Sequence, residues 1–307
     1  MAVQHVSSSQ AMTSDPAAAA RDNAEADPSW VIRLRASGGK PPLFCACALS
    51  GDAFDYRDLA MALPEDQPVC AFGVPYLGNS EPFPKVRQIA EACVSKVRAL
   101  QASGPYYLCG HSFGGLVAYE MAAILARDGC AVDLVALLDT EHPAFRRILP
   151  LGRKIKFQFL YISDRTVKYL RNLRHGRIDM ILADVKQFFR GRAYRFIWRA
   201  VLAVFGALDH ELPSPIRNTE LLLTGAWHAY TPPNYEGRVV LFLASGRPPE
   251  YAADITLGWK TCAAKSLELQ TVPGDHRSLL HPPFVSTLAK KLTRYLADAE
   301  AVGEAGT

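Results

Sequence analysis

Tyr106-Tyr107-Leu108-Cys109-Gly110-His111-Ser112-Phe113-Gly114-Gly115-Leu116-Val117-Ala118-Tyr119-Glu120 is the stretch from which the rest of the chain can be read. Four apolar residues with β-forming side chains lead into a glycine, a serine flanked by His and Phe, and two further glycines. A helical pattern follows, with Ala118, Met121, Ala122 and Leu125 on one stripe at i, i+3, i+4, i+7. A serine on so sharp a strand-to-helix turn takes a strained backbone conformation and projects its hydroxyl away from the sheet. The small neighbours are required because strand and helix come close together there. The helix that begins at this turn also directs free amide N–H groups toward the hydroxyl. Ser112 is therefore the candidate nucleophile.

Working outward, short apolar runs alternate with helical patterns. Strands are expected at Trp30–Leu34, Pro42–Ala48, Val69–Phe72, Tyr106–Cys109, Leu134–Leu138, Val239–Ala244 and Leu267–Val272. Helices are expected at Tyr56–Ala62, Val86–Gln101, Leu116–Arg127 and Pro283–Ala297. This alternation implies an α/β fold with a mostly parallel sheet covered by helices on both faces. With a strand–Ser–helix turn at its centre, the expected fold is that of the α/β-hydrolases.

The remaining candidates follow from chain order, which in this fold runs Ser, acid, His. His276 lies in Val272-Pro273-Gly274-Asp275-His276, a loop directly after the last strand, and is the candidate base; His281 is its nearest competitor. The acid has two possible positions. Asp139 ends the run Leu134–Leu138, whereas Glu250 and Asp254 follow Val239–Ala244 beyond Gly246-Arg247-Pro248-Pro249, which reads as flexible. Asp139 leads and Asp254 is the runner-up. An oxyanion hole in such a site uses two backbone N–H groups, one from the residue after the nucleophile and one from the loop after an early strand. Phe113 and Leu49, the latter in Ala48-Leu49-Ser50-Gly51, are the candidates.

Composition limits the alternatives. The chain has 307 residues, 49% hydrophobic and 21% charged, with a net charge of only +4, so no global charge bias points to nucleic acid or a membrane surface. No apolar run is long enough to span a bilayer, and the leading residues lack the apolar core of a signal peptide. Residues 1–28, rich in Ala, Ser and Asp, are expected to be a disordered tail. Residues 29–300 should form the catalytic domain, and 301–307 a flexible end. Seven cysteines without a CxxC pair read as small buried hydrophobes in a reducing compartment, hence a cytoplasmic protein with neither disulfides nor metal nor cofactor.

One segment breaks the alternation. From about 144 to 210 no strand is expected, only helical stripes such as Ile178, Ile181, Leu182, Val185, Phe188 and Phe189. Between Arg146 and Arg199 there are fifteen Lys/Arg against three acids, a net of +12, which leaves the rest of the chain at −8. This is expected to be an inserted cationic helical subdomain.

With these residues placed, the chain resembles the thioesterase domains of nonribosomal peptide and polyketide synthases from about Pro41 to Ala297. The blocks that carry the resemblance are Tyr56-Arg57-Asp58-Leu59-Ala60, Gly104-Pro105-Tyr106-Tyr107-Leu108, the run from Gly110 to Glu120, Leu137-Leu138-Asp139, Tyr235 to Phe242, Leu257-Gly258-Trp259 and Val272 to Leu280. The resemblance implies an acyl thioesterase whose substrate hangs on the phosphopantetheine arm of an acyl or peptidyl carrier protein and is released by hydrolysis or cyclisation. It favours Asp139, 27 residues after Ser112, as the acid, while stand-alone editing relatives place the acid one core strand later. It makes the insertion a lid over the acyl chamber. The aromatics Phe157, Phe159, Tyr161, Tyr169, Phe188, Phe189 and Trp198 would either line that chamber or, for most of them, form the lid's own packing. The cationic surface would attract an acidic carrier. Cys47-Ala48-Leu49-Ser50-Gly51 departs from the His-Pro-x-Gly-Gly of many relatives, so the oxyanion loop should differ in shape. About thirty residues precede the first strand, too few for a carrier domain, so the chain is expected to be either a free-standing protein or an isolated domain, to which a carrier would bind in trans. The competing readings are an esterase acting on oxygen esters, an editing thioesterase and a non-catalytic interaction protein of the same fold.

Overall fold

In the computed structural model, residues 30–75, 85–180, 219–263 and 267–305 are described, with positions 182, 183, 186 and 204 between them. The expected N-terminal tail, 1–28, lies outside these residues, as do Ile181, Val185, Phe188, Phe189 and Trp198 of the insertion.

Among the described residues, seven strands form one sheet in the order β1-β3-β2-β4-β5-β6-β7. They are β1 (Val31–Arg35), β2 (Leu43–Ala46), β3 (Val69–Phe72), β4 (Tyr106–His111), β5 (Val132–Leu138), β6 (Val239–Ala244) and β7 (Leu267–Val272). β1 pairs antiparallel with β3, and every other pairing is parallel. The sheet is therefore that of the α/β-hydrolase fold, with all seven expected strands in place.

Alternate residues of the central strands serve two cores, as the period of two requires. Phe44, Tyr106, Leu108, Val135, Leu137, Val239 and Leu241 face one side, against α2 (Val86–Leu100) and α3 (Phe113–Arg127). Leu43, Cys45, Tyr107, Cys109, Leu134, Ala136, Val240 and Phe242 face the other, against α1 (Arg57–Ala62) and the final helix. Burial on both faces explains why these strands read as continuous apolar runs. Each fully buried Leu, Val or Phe contributes about 1.5–3 kcal/mol. Six cysteines, at 45, 47, 70, 93, 109 and 262, are buried within these layers and Cys130 is half-buried; all seven are free thiols.

The connection between β5 and β6 carries α4 (Phe145–Ile148), α5 (Leu151–Arg174) and α6 (Thr219–Ala229). Helix therefore continues beyond the expected boundary near 210. α5 is fixed mainly through Phe157, which packs edge-on to Phe145 and Tyr251. Much of its remaining apolar surface, including Leu151 and Phe159, is exposed among the described residues. The final helix, α7 (Val285–Ala305), runs through five of the seven C-terminal residues expected to be flexible. Its Ala- and Glu-rich end, Ala297-Asp298-Ala299-Glu300-Ala301, is good helix-forming sequence.

Candidate active site

β4 ends at His111, and α3 begins at Phe113, three residues before the expected start. Ser112 is the single residue between them, with φ 55° and ψ −117°. Such positive-φ backbone costs a non-glycine residue about 1–3 kcal/mol and persists only where its surroundings enforce it. Here they do. The Ser112 amide donates to the Leu138 carbonyl on β5 at 3.0 Å. A Cβ on Gly110 would lie 2.1 Å from the Gly114 carbonyl oxygen, and one on Gly114 would lie 2.3 Å from that of Ala46. A Cβ on Gly115 would meet the Thr140 Oγ1 at 2.0 Å. Glycine at all three is what lets strand, serine and helix meet.

The structure brings three of the expected residues into one line. His276 Nε2 is 3.0 Å from Ser112 Oγ, and His276 Nδ1 is 2.7 Å from Asp139 Oδ2. Asp139 is completely buried at the carboxyl end of β5, with a positive φ of 50°. Its second oxygen accepts from the Ala244 amide at 2.8 Å and from Arg247 Nε at 2.6 Å, and Arg247 Nη2 donates to the Asp139 carbonyl at 2.7 Å. Burial pushes the Asp139 carboxyl upward. The hydrogen bonds from His276 and Arg247, the Arg247 charge and the Ala244 amide together outweigh it and hold the carboxyl below its usual value. It is therefore an anion at neutral pH. A carboxylate there can only accept, so the bond to it carries a proton on His276 Nδ1, an arrangement in which Nε2 can accept from the Ser112 hydroxyl.

The other candidates are elsewhere. Asp254 accepts from the amide and hydroxyl of Thr256 and faces Arg153 at 3.6 Å, with no contact to His276. Glu250 is buried and makes no bond to that histidine among the described residues. His281 pairs with Asp58 at 2.9 Å. Leu49 borders the hollows on both sides of His276, and the Phe113 amide, at the first position of α3, is among the N-terminal donors that a helix leaves unsatisfied.

Two hollows meet at this line. One, about 700 Å³, runs past Asp139 and His276 to Glu141, Arg146, Trp227 and Tyr251. The other, about 440 Å³, holds Ser112, His111, His276 and Arg277. Among the described residues, Trp227 and Tyr251 are the aromatics that border the larger hollow, and neither belongs to the set expected to do so. Phe157 is buried in the small cluster under α5, Phe159 is exposed, and Tyr161 and Tyr169 accept from Arg165 at 2.9 and 2.7 Å along the helix surface.

Sequence reasoning missed three residues. Arg247 grips the acid and stacks on Tyr251 at 4.7 Å, so the segment expected to be flexible is anchored; the Gly246 amide also donates to the Gly274 carbonyl at 2.8 Å. The second is His111, whose Nε2 lies 2.9 Å from the His276 carbonyl. The third is Tyr56, whose hydroxyl donates to the Ala46 carbonyl at 2.6 Å and accepts from the His111 amide at 2.7 Å. The sequence held a signal for two of them: Tyr56 opens one of the blocks that carry the family resemblance, and His111 occupies the position within the elbow motif usually read as variable.

Residues 41–292 match the family described as the thioesterase domain. The chain belongs to that family. The thioesterase domain is also 28% identical over 279 residues to chondramide synthase of Chondromyces crocatus, covering 87% of this chain and 7% of that protein. It thus spans a small fraction of this curated relative's length. Among solved structures, a four-domain nonribosomal peptide synthetase bound to AMP and glycine superposes with a TM-score of 0.61 at 24% identity, over 91% of this chain and 21% of that one. The covalent complex of the NocB thioesterase domain with a fluorophosphonate nocardicin G analogue gives 0.57 at 24%, over 87% and 100%. These superpositions establish the α/β-hydrolase fold for the thioesterase domain described here. No helix among its described residues is long and apolar enough to cross a membrane, and no cluster of His, Cys, Asp or Glu among them has the makings of a metal site.

Proposed function

We propose that Ser112, His276 and Asp139 are the nucleophile, base and acid of a thioesterase that takes an acyl chain from a carrier-protein phosphopantetheine thioester. The observation that carries this reading is the unbroken Asp139–His276–Ser112 line, at 2.7 and 3.0 Å, ending on a strained serine.

As Ser112 Oγ bonds to the thioester carbon, its proton passes to His276 Nε2, and Asp139 stabilises the imidazolium. The carbonyl oxygen becomes an oxyanion, for which the Phe113 and Leu49 amides are the donors. Collapse breaks the C–S bond. The departing sulfur takes the proton from His276, leaving an acyl-serine and a free phosphopantetheine thiol. Water, or a hydroxyl or amine of the acyl chain, then gives its proton to His276 and attacks the same carbon. This yields an acid or a ring and restores Ser112. No cofactor enters the scheme.

The partner is an acidic carrier protein, a proposal supported by the synthetase relatives and by the +12 charge between Arg146 and Arg199. A cytoplasmic setting belongs to the same proposal and is supported by seven free cysteines.

Intact-mass measurement of the enzyme after mixing with carrier-bound acyl thioesters tests the reading. The expected result is a Ser112 acyl adduct that decays to acid or cyclic product and is absent in Ser112→Ala. An adduct formed from simple oxygen esters but never from carrier-bound thioesters would replace this reading with that of an esterase. Failure of a fluorophosphonate to label Ser112 in the folded protein would point to a non-catalytic role.

A further inference from the structure

His276 must serve two atoms in succession, the Ser112 hydroxyl and the departing sulfur, so its ring tolerates little displacement. Yet it sits on a loop after β7, and its side chain is 46% exposed. Asp139 holds one end of the ring, and nothing in the reaction itself holds the backbone that carries it. His111 does so. Its Nε2 lies 2.9 Å from the His276 carbonyl oxygen, which can only accept, so Nε2 carries the proton and His111 is in the Nε2–H form. The two rings lie 4.9 Å apart at 36°. From the other side, the His111 amide donates to the Tyr56 hydroxyl, which donates onward to the Ala46 carbonyl at the end of β2. The loop bearing Leu49 starts one residue later. A single chain of hydrogen bonds thus joins the His276 loop, the elbow and the approach to the oxyanion loop.

We infer that His111 is a positioning residue, fixing the His276 backbone through its Nε2–H donor and tying base, nucleophile and oxyanion loop into one frame through Tyr56. The inference rests on the proposed roles of Ser112 and His276. Burial, followed by the charge of His276, lowers the His111 imidazole to about 4, which keeps it neutral and its donor constant across the working range. A permanent cation at this position would face the imidazolium of His276 and oppose its formation.

Three variants separate the donor from the ring. His111→Phe keeps a ring of similar outline without the donor, His111→Gln restores an N–H at about the same reach without the ring, and His111→Leu has neither. The readouts are fluorophosphonate labelling of Ser112, steady-state turnover of a hexanoyl N-acetylcysteamine thioester, and thermal unfolding. Loss of the donor should lower kcat by about 10²-fold with little change in KM, the scale expected for a small misplacement of a reacting group. His111→Leu should match His111→Phe, and His111→Gln should return to within about threefold of the parent rate, as expected if the donor rather than the ring fixes geometry. If Phe or Leu turns over at the parent rate, or Gln is as slow as Phe while equally stable, the inference is wrong. Should Phe fail to fold, the Gln–Leu pair makes the same comparison. Absence of labelling in the parent enzyme would overturn the role of Ser112; labelling that is equally fast in parent and Phe variant would overturn only the role of His111.

Discussion

At the scale of single residues, the site depends on which groups are kept charged and which neutral. Asp139 is an enclosed anion with two cationic or potentially cationic partners. Its replacement by Asn removes that anion and leaves Arg247 facing a neutral amide. We expect Asp139→Asn to reduce turnover on the order of 10⁴-fold, as loss of a triad acid does, and Asp254→Ala to leave it near the parent value. Near-normal turnover in Asp139→Ala combined with loss in Asp254→Ala would reverse the assignment. Two histidines, the half-buried His111 and the buried His142, are held neutral. His111 faces His276, Asp139 and Arg247, and His142 accepts from the Ala144 amide and feels Arg147; burial is the main reason each is lowered from 6.5 to about 4. Below pH 6.5 the unfolded chain takes up protons at these positions that the folded protein refuses, so stability falls as pH drops from about 6.5 to about 4. Each group contributes on the order of 1 kcal/mol per pH unit across that window. Urea midpoints at pH 7, 6 and 5 should decline, and the decline should be shallower in His142→Gln. An unchanged midpoint would mean that these imidazoles are charged in the fold.

At the scale of elements, the elbow is a steric device with little slack. In Gly110→Ala the new methyl meets main-chain atoms of Gly114 and Gly115, which no rotamer change relieves. The cost should be about 3 kcal/mol, at the upper end for overpacking, read as a lower urea midpoint with labelling of Ser112 lost. Most elements are legible in the sequence because a strand buried on both sides is an apolar run, and such runs here end in Ser, Gly or a charged residue. What was misread has local causes. The sequence pattern puts the start of α3 at Leu116 because Gly114 and Gly115 are poor helix formers, whereas packing against Ala46, Cys47 and Thr140 holds them helical. α6 does not show in the pattern because Leu221-Leu222-Leu223 is a run with no stripe, followed by Thr224 and Gly225. That β1 is antiparallel depends on its pairing with β3, which no pattern within Val31–Arg35 encodes. Likewise Ser112 and His276 announce themselves by local motif. Arg247, inside Ser245-Gly246-Arg247-Pro248, becomes meaningful only when β6 is laid beside β5.

At the scale of the whole molecule, charge is segregated. The segment from Arg146 to Arg199 carries +12 on a protein whose remainder carries −8. Attraction between exposed charges is screened over about 8 Å at physiological ionic strength, so recruitment of an acidic carrier should weaken steeply as salt rises. Acylation of Ser112 from a carrier-bound thioester is expected to slow at least about tenfold between 50 and 500 mM NaCl, whereas the matching N-acetylcysteamine thioester should react at a nearly constant rate. Parallel salt dependence for the two substrates would mean that the cationic segment does not select the partner.

The thread of roughly a hundred residues that carries α4, α5 and α6 leaves the sheet at the end of β5 and returns to it at β6, which is the hydrogen-bonded neighbour of β5. Because the two strands run parallel, with Leu138 opposite Phe242 and Val135 opposite Val239, its two ends lie at opposite edges of the sheet, at a separation the sheet itself sets whatever length lies between them. The entropy of closing such an excursion rises only with the logarithm of its length, about 0.6 kcal/mol for each doubling. Ser112, Asp139 and His276 all stand on the framework outside it. Segments of different size are therefore expected to be tolerated between Arg174 and Thr219, which leaves the core residues Phe145, Phe157, Leu223 and Ala226 in place and Ser112, Asp139 and His276 in register.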